Sequence, residues 1–430
     1  MKLKMSVLGA VLVILMGFLA ACGSSVPTTA AGGKTVISLW THSAGNPLEM
    51  GALTKEVAAF NAAHSQYQVQ IQSFPQASYN TSVSAAALAH KLPCLMDMDN
   101  PTVANFAWSG YVQPLPITAA QVQQMGLLNS AIGRWQGKIY ALGQFDVALT
   151  IFARKSVLEK YNIRIPTLSQ PWTLDEFNTI LAKLKASGAF QYPLDLGAGG
   201  TGEWWPYAYS PMLQSFGGDL INRSTMTSAD GILNGPAAVK WGQWFQSLFK
   251  NGYADRKPTS NQGFLQGKVA LWYDGSWDAD NVVQKYGKDA LFLPTVNFGN
   301  GPKIGGGSWE WGISSTCSQQ ASQGAWQFIK SLMQPANIAL LDNSTGLIPT
   351  TPAAAALMPR YAPGGPYRIF FDMLQQFTVM RPATPAYLTI SSQFEQAGEA
   401  IRDGANVQTA LDNAVNAIDQ NIQAHNNYQQ

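Results

Sequence analysis

Charge is scarce in this chain. Of 430 residues only 12% are Asp, Glu, Lys or Arg, against about a quarter in an average soluble protein, and the excess of basic over acidic side chains is just +2. Without a basic run, a nucleic acid or an anionic surface finds little to grip, and no nucleic-acid partner is expected. Histidine is scarcer still. His42, His64, His90 and His425 lie far apart, with no cysteine or carboxylate at ligand spacing, so neither a metal site nor a cofactor is expected. Beyond Ala21 the chain also lacks any apolar run long enough to span a bilayer, which leaves membrane association to an anchor or a partner.

What is there begins with residues 1–23. Lys2 and Lys4 precede a continuous apolar run over residues 7–21, and Leu19-Ala20-Ala21-Cys22-Gly23 closes it. A charged start, a short apolar stretch and small residues before a cut make a secretory signal. The cut before a cysteine resembles the lipobox of bacterial lipoproteins, which implies a signal peptide over residues 1–21 and acylation of Cys22. Residues 22–34, rich in Gly, Ser, Thr and Ala, read as a flexible tether. The expected location is therefore extracytoplasmic, anchored to the cell membrane through Cys22. Cys94 and Cys317 remain, an even pair in an oxidising compartment; a single disulfide and two buried thiols are both open.

The remaining length allows two domains. Residues 35–40 are a β-branched strand, 41–47 a turn, and 48–64 a helix with Leu53, Val57 and Phe60 on one face. Residues 67–74 alternate as a second strand, 79–90 form an alanine-rich helix, and 94–98 a third strand. That rhythm predicts an α/β layer with a largely parallel sheet, whose ligands collect at the strands' carboxyl ends near Trp40, His42, Asp99 and Asn100. Further on, Thr173 with Glu176 marks a helix start, and residues 393–430 read as two helices broken at 403–406.

Several pieces follow in a telling order: Trp40; Phe60-Asn61; Leu92-Pro93 before Asp99; Gly137-Lys138-Ile139-Tyr140; Pro171-Trp172-Thr173-Leu174-Asp175-Glu176-Phe177; the run from Phe264 to Asp274-Gly275-Ser276-Trp277; Gly346-Leu347-Ile348-Pro349; Arg381-Pro382; and Ala410-Leu411. In this order the chain resembles the extracellular solute-binding proteins of bacterial ABC importers, in the sugar and glycerol-phosphate branch typified by maltose-binding proteins. The resemblance implies an α/β, two-lobe periplasmic-binding-protein type II fold with a ligand cleft between lobes joined by hinge strands. It places the N-terminal lobe at 35–144 and 300–348 and the C-terminal lobe at 145–299 and 349–430. A monomer that docks on permease subunits of an ABC transporter is the implied partner arrangement. Cys94 departs from the family's usual Asp after Leu-Pro, and the paired Trp309 and Trp311 are a further departure.

Carried over residue by residue, the resemblance picks out Trp40, Tyr79, Asp99, Asp146, Trp204, Trp205, Trp277, Gly306 and Arg381 as ligand-binding. Composition points the same way. The chain has 13 Trp and 15 Tyr, and sugars need aromatic faces for C–H surfaces beside carboxylates for hydroxyls. Trp309 beside Glu310 joins the set on this ground, whereas Trp241, Trp244, Phe245 and Phe249 sit at helical spacing and read as packing. Gly306 would let a ligand approach the backbone. Other readings are weighed against this one. Gly197 to Gly202 fits a dinucleotide loop but runs into bulky Trp204 and Trp205. Asp97 with Asp99, or Asp274 with Asp278, resembles a glycosidase's carboxyl pair; no catalytic residue is assigned, and a non-enzyme is expected. A phosphate held by Arg381 and the glycine loop would make the ligand glycerol 3-phosphate or its diester. A surface adhesin lacks the repeats or stalks it would need.

Overall fold

The structure is a computed structural model describing residues 33–258 and 262–429. Cys22, the expected signal peptide and nearly all of the tether lie outside the described residues.

The β-branched start forms strand β1 (Thr35–Ala44), which runs on through the expected turn. Asn46 then caps the helix Pro47–Ala63 by accepting from the Glu49 amide, with Pro47 in its first turn. Strands β2 (Tyr67–Pro75) and β3 (Leu95–Asp99) flank β1 in parallel. Strands β4 (Ile132–Trp135) and β5 (Lys138–Leu142) make a hairpin whose Gln136-Gly137 turn has positive φ at both residues, 45° and 75°. Strand β6 (Phe145–Asp146) leads out of this lobe into β7 (Leu149–Arg154). The second lobe adds β8 (Tyr192–Asp195), β9 (Val269–Gly275) and β10 (Ala290–Leu293). Strand β11 (Ile304–Gly306) leads back to β12 (Trp309–Ile313), and β13 (Ile348–Pro349) and β14 (Thr378–Met380) complete the set.

Two principal sheets result, in the orders β2-β1-β3-β12-β5-β4 and β10-β7-β9-β8. The sheets are less parallel than the early rhythm suggests. The first turns antiparallel from β12 onward, and in the second only β8 and β9 run parallel. A strand that returns from the other lobe enters from the opposite end, which explains β12. Helices cover both faces of the first sheet, so alternate residues of β3 divide between them: Leu95 joins the cluster of Phe60 and Phe328, while Met96 and Met98 join Tyr79 and Val83. The second lobe buries Trp172, Trp205, Trp241 and Trp272 in a single large cluster.

Two short ladders lie between the lobes. Strand β6 pairs with β13, and β11 pairs with β14. Thr350 Oγ1 ties the first crossing by donating to the carbonyls of Gly143 and Gln144 at 3.0 and 2.8 Å. Cys94 and Cys317 are bonded as a disulfide, with Cα atoms 4.6 Å apart although the two lie 223 positions apart in sequence.

Candidate functional site

Because β1 and β3 are parallel neighbours, their carboxyl ends meet at one edge of the sheet, and Asp97 gathers that edge. Its Oδ2 accepts from Thr41 Oγ1 at 2.7 Å and lies 2.7 Å from His42 Nδ1, while Oδ1 accepts from the His42 amide at 3.2 Å. The other ring nitrogen of His42 faces Glu49 at 3.4 Å. Burial alone would lower the imidazole's pKa, but the two carboxylates outweigh it and hold the value up at about 9. The ring lies flat on Trp309, with centroids 3.9 Å apart and planes 9° apart. Tyr79 meets the edge of the same indole at 5.5 Å. Trp40, half-buried, packs on Phe74.

The facing wall comes from the second lobe. Glu203 stands at the start of the helix Trp204–Ser215, and half-buried Trp204 turns its edge to Trp277 at 6.4 Å. Tyr207, one turn along, lies 6.2 Å from Trp277. Trp277 follows β9 and folds back over Gly275, where a Cβ would come within 2.1 Å of the indole. Asp274 ends β9. Burial, and then neighbouring Asp278, pushes its carboxyl well above the usual range.

Arg381, just after β14, joins the walls. It grips Asp99 of the first lobe with two bonds of 2.8 and 2.7 Å, Glu203 of the second at 2.7 Å and the Gly307 carbonyl at 2.7 Å. The guanidinium also lies over the Tyr207 ring at 5.4 Å. Glu203 is held further by Tyr387 and Ser391 hydroxyls at 2.6 and 2.5 Å. Burial lifts Asp99 to about 6, with Arg381 opposing and Glu203 assisting. Asp146 in β6 is buried beneath this floor, and desolvation raises it to about 6 against bonds from Ser130 and two amides.

Contacts therefore connect Trp40, Tyr79, Asp99, Trp204, Trp277, Trp309 and Arg381 into a belt across the two lobes, with Asp146 below it. Tyr79 is 1% exposed, and its hydroxyl donates to the carbonyls of Trp40 and Asp97 at 3.2 and 2.9 Å, so it braces the wall from behind. Two expectations are corrected. Trp205 is fully buried; its indole donates to the Gly200 carbonyl at 2.9 Å and stacks edge-on against Tyr209 and Phe245, which makes it core. Gly306 is bare because Thr378 crosses it: a Cβ there would lie 2.2 Å from Thr378 Cγ2, so a hinge strand, not a ligand, needs the space.

The loop over residues 197–202 is also committed. A Cβ at Gly197 or Gly200 would meet the Trp204 ring at 3.0 and 2.7 Å, so these glycines make room for the indole. The Gly197 amide donates to Asp195, that of Gly200 to the Gly197 carbonyl, and that of Gly202 to Glu395. An anion would find those donors taken and Arg381 already neutralised. Sequence reasoning set His42 at the ligand-collecting end of its strand and weighed Asp97 only as half of a carboxyl pair, but it chose neither of them, nor Tyr207, as a ligand-binding residue. The spacing of His42 two after Trp40, and of Asp97 two before Asp99, is a usable signal only once β1 and β3 are known to be adjacent. Among the described residues, no group of three or more His, Cys, Asp or Glu is arranged to hold a metal ion, and no helix is long and apolar enough to cross a membrane.

A family model described as bacterial extracellular solute-binding protein matches residues 55–363. An uncharacterized lipoprotein encoded in the oleD 5′ region of Streptomyces antibioticus is 22% identical over 368 residues, covering 79% of this chain and 75% of that one. The fold matches the GacH receptor of Streptomyces glaucescens, solved unliganded and with acarbose, at a TM-score of 0.73 and 21% identity over 92% of this chain and 99% of that one. It also matches the maltose/maltodextrin-binding domain of Bdellovibrio bacteriovorus bound to maltotriose, at 0.73 and 18% over 90% and 100%.

Proposed function

This chain belongs to the bacterial extracellular solute-binding proteins, and from that premise we propose that it captures a sugar or oligosaccharide between its lobes for an ABC importer. The belt running from Trp40 and Trp309 through Arg381 to Trp204 and Trp277 carries the reading. It pairs flat apolar rings with carboxylates, the combination that takes the C–H faces and hydroxyls of a sugar. Arg381 acts there as an internal counter-ion that orients Asp99 and Glu203 as acceptors. With its cation spent and the glycine-loop amides occupied, the floor suits a neutral ligand better than glycerol 3-phosphate or its diester. The same occupation argues against a hydrolase, since Asp97 and Asp99 are each bound to a cation of the fold and not free as an acid and base pair. Domain closure about β6 with β13 and β11 with β14 would present the closed form to permease subunits. Acylated Cys22 would hold the protein at the outer face of the cell membrane.

The test is a thermal-shift panel on the chain from residue 23 onward, because a ligand that binds only the folded state raises the melting temperature by mass action. Shifts with neutral mono-, di- or trisaccharides are expected. A shift confined to glycerol 3-phosphate or its diesters would overturn the sugar assignment.

A further inference from the structure

We propose that His42 is a positioning residue of the cleft: held between Asp97 and Glu49, its ring fixes the plane of Trp309 and leaves the opposite indole face to the ligand. For the nature of that ligand this rests on the sugar reading; the His42–Trp309 pair does not.

The geometry argues first for the charge. Nδ1 is 2.7 Å from Asp97 and Nε2 is 3.4 Å from Glu49, and a neutral imidazole would turn a lone pair toward one of these carboxylates. A ring with both nitrogens protonated satisfies the pair. Other titratable groups around it are Asp99 on β3, Glu56 on the helix Pro47–Ala63, and Tyr79 on the helix Gln76–Leu88. Asp97 and Glu49 are the two carboxylates at the ring nitrogens, while Asp99 is paired with Arg381, and it is those two that keep the proton in place.

It argues next for the consequence. An imidazolium stacked on an indole is a cation–π contact, strongest with Trp and strengthened where water is excluded; His42 is 6% exposed. Trp309 is half-buried, packs against the cores of both lobes and meets Tyr79 edge-on, while His42 is the ring stacked flat on its face. The cation draws π density toward its own side, so the benefit to a sugar on the other face lies in a fixed plane and not in a richer ring. A plane set before binding lowers the ordering cost of capture.

Fluorescence isolates the pair without any ligand, because a protonated imidazole quenches an indole stacked on it. The spectrum of the wild type minus that of Trp309→Phe should be dim at neutral pH and brighten through about pH 9. In a His42→Gln background the same difference should be bright and flat. A flat wild-type signal, or a step that survives in His42→Gln, overturns the pairing. With maltotriose as probe in calorimetry, His42→Gln should weaken binding about three- to thirtyfold, and should add nothing once Trp309→Ala is present. An equal loss in the Trp309→Ala background would show that His42 acts on the ligand or the fold directly, and the positioning role would be wrong. If maltotriose does not bind the wild type, the sugar giving the largest shift in the thermal panel replaces it; a panel in which no sugar shifts the melt puts the sugar reading at fault, and the fluorescence step still decides the pair.

Discussion

Arg381 holds one carboxylate from each lobe while almost wholly buried, so removing it strands charge where water cannot reach. Arg381→Met is expected to cost about 3–5 kcal/mol, read as a fall in the urea midpoint at neutral pH. Adding Asp99→Asn should recover much of that loss, because the stranded acid is then gone; no recovery would mean that Glu203 or the hinge, not Asp99, depends on the arginine. A second contrast concerns tryptophans of unlike surroundings. Trp277→Ala should weaken sugar binding by about 2 kcal/mol, roughly thirtyfold, for the loss of an apolar face, with little change in melting temperature. Trp205→Ala should do the opposite, costing about 3–5 kcal/mol of stability while the folded fraction still binds. Calorimetry and thermal melts on both variants check this, and a Trp277→Ala protein that binds normally would remove that residue from the site. Sequence context could not separate Trp204 from Trp205, since both follow Glu203. Helix geometry could: neighbours on a helix point about 100° apart, so only one of them faces the cleft. Gly306 is a milder case of the same kind. A bare position reports that something approaches, and only the fold shows that Thr378 is what does.

At the scale of elements the chain was largely legible, because each early strand and helix carries its own period and stop. The Thr173 side chain caps its helix by accepting from the Glu176 amide, while the Glu176 carboxylate turns away to Arg164 and leaves the capping box half-made. The strand directions of the second lobe were less legible, since they depend on where the chain crosses between lobes and no local period records that. The disulfide was equally hidden: Cys94 and Cys317 are 223 residues apart, and only the antiparallel docking of β12 on β3 brings their neighbourhoods together. By the chain-entropy account, closing so long a loop stabilises by up to about 5 kcal/mol. The double variant Cys94→Ser/Cys317→Ser should therefore unfold at clearly lower denaturant. Its sugar affinity should be unchanged, because the bridge lies before the start of β3 while Asp99 ends it, about 15 Å further along the strand. An affinity loss comparable to the stability loss would mean that the bridge shapes the cleft itself.

Across the whole molecule the buried titratable groups share one direction. Burial raises Glu56 to about 8 and Asp99 and Asp146 to about 6, and it pushes Asp274, Glu310 and Asp342 well up. His42 stands at about 9 for the different reason that its carboxylate partners outweigh desolvation. Every one of these groups keeps its proton in the folded chain at a pH where the unfolded chain has released it. Between about pH 5 and 9 the folded state thus binds more protons than the unfolded state, and stability must fall as pH rises through that window. Asp403, which Arg402 holds below its usual range, titrates under more acidic conditions and does not oppose the trend. The melting temperature is expected to be highest near pH 5 and to drop by about 5 °C or more by pH 9, with Glu56→Gln flattening part of the slope above neutrality. Scanning calorimetry across that range decides the matter. A melting temperature that holds level or climbs with pH would mean that the interior acids are ionised in the folded chain, and that a counter-ion or solvent within the lobe junction compensates them.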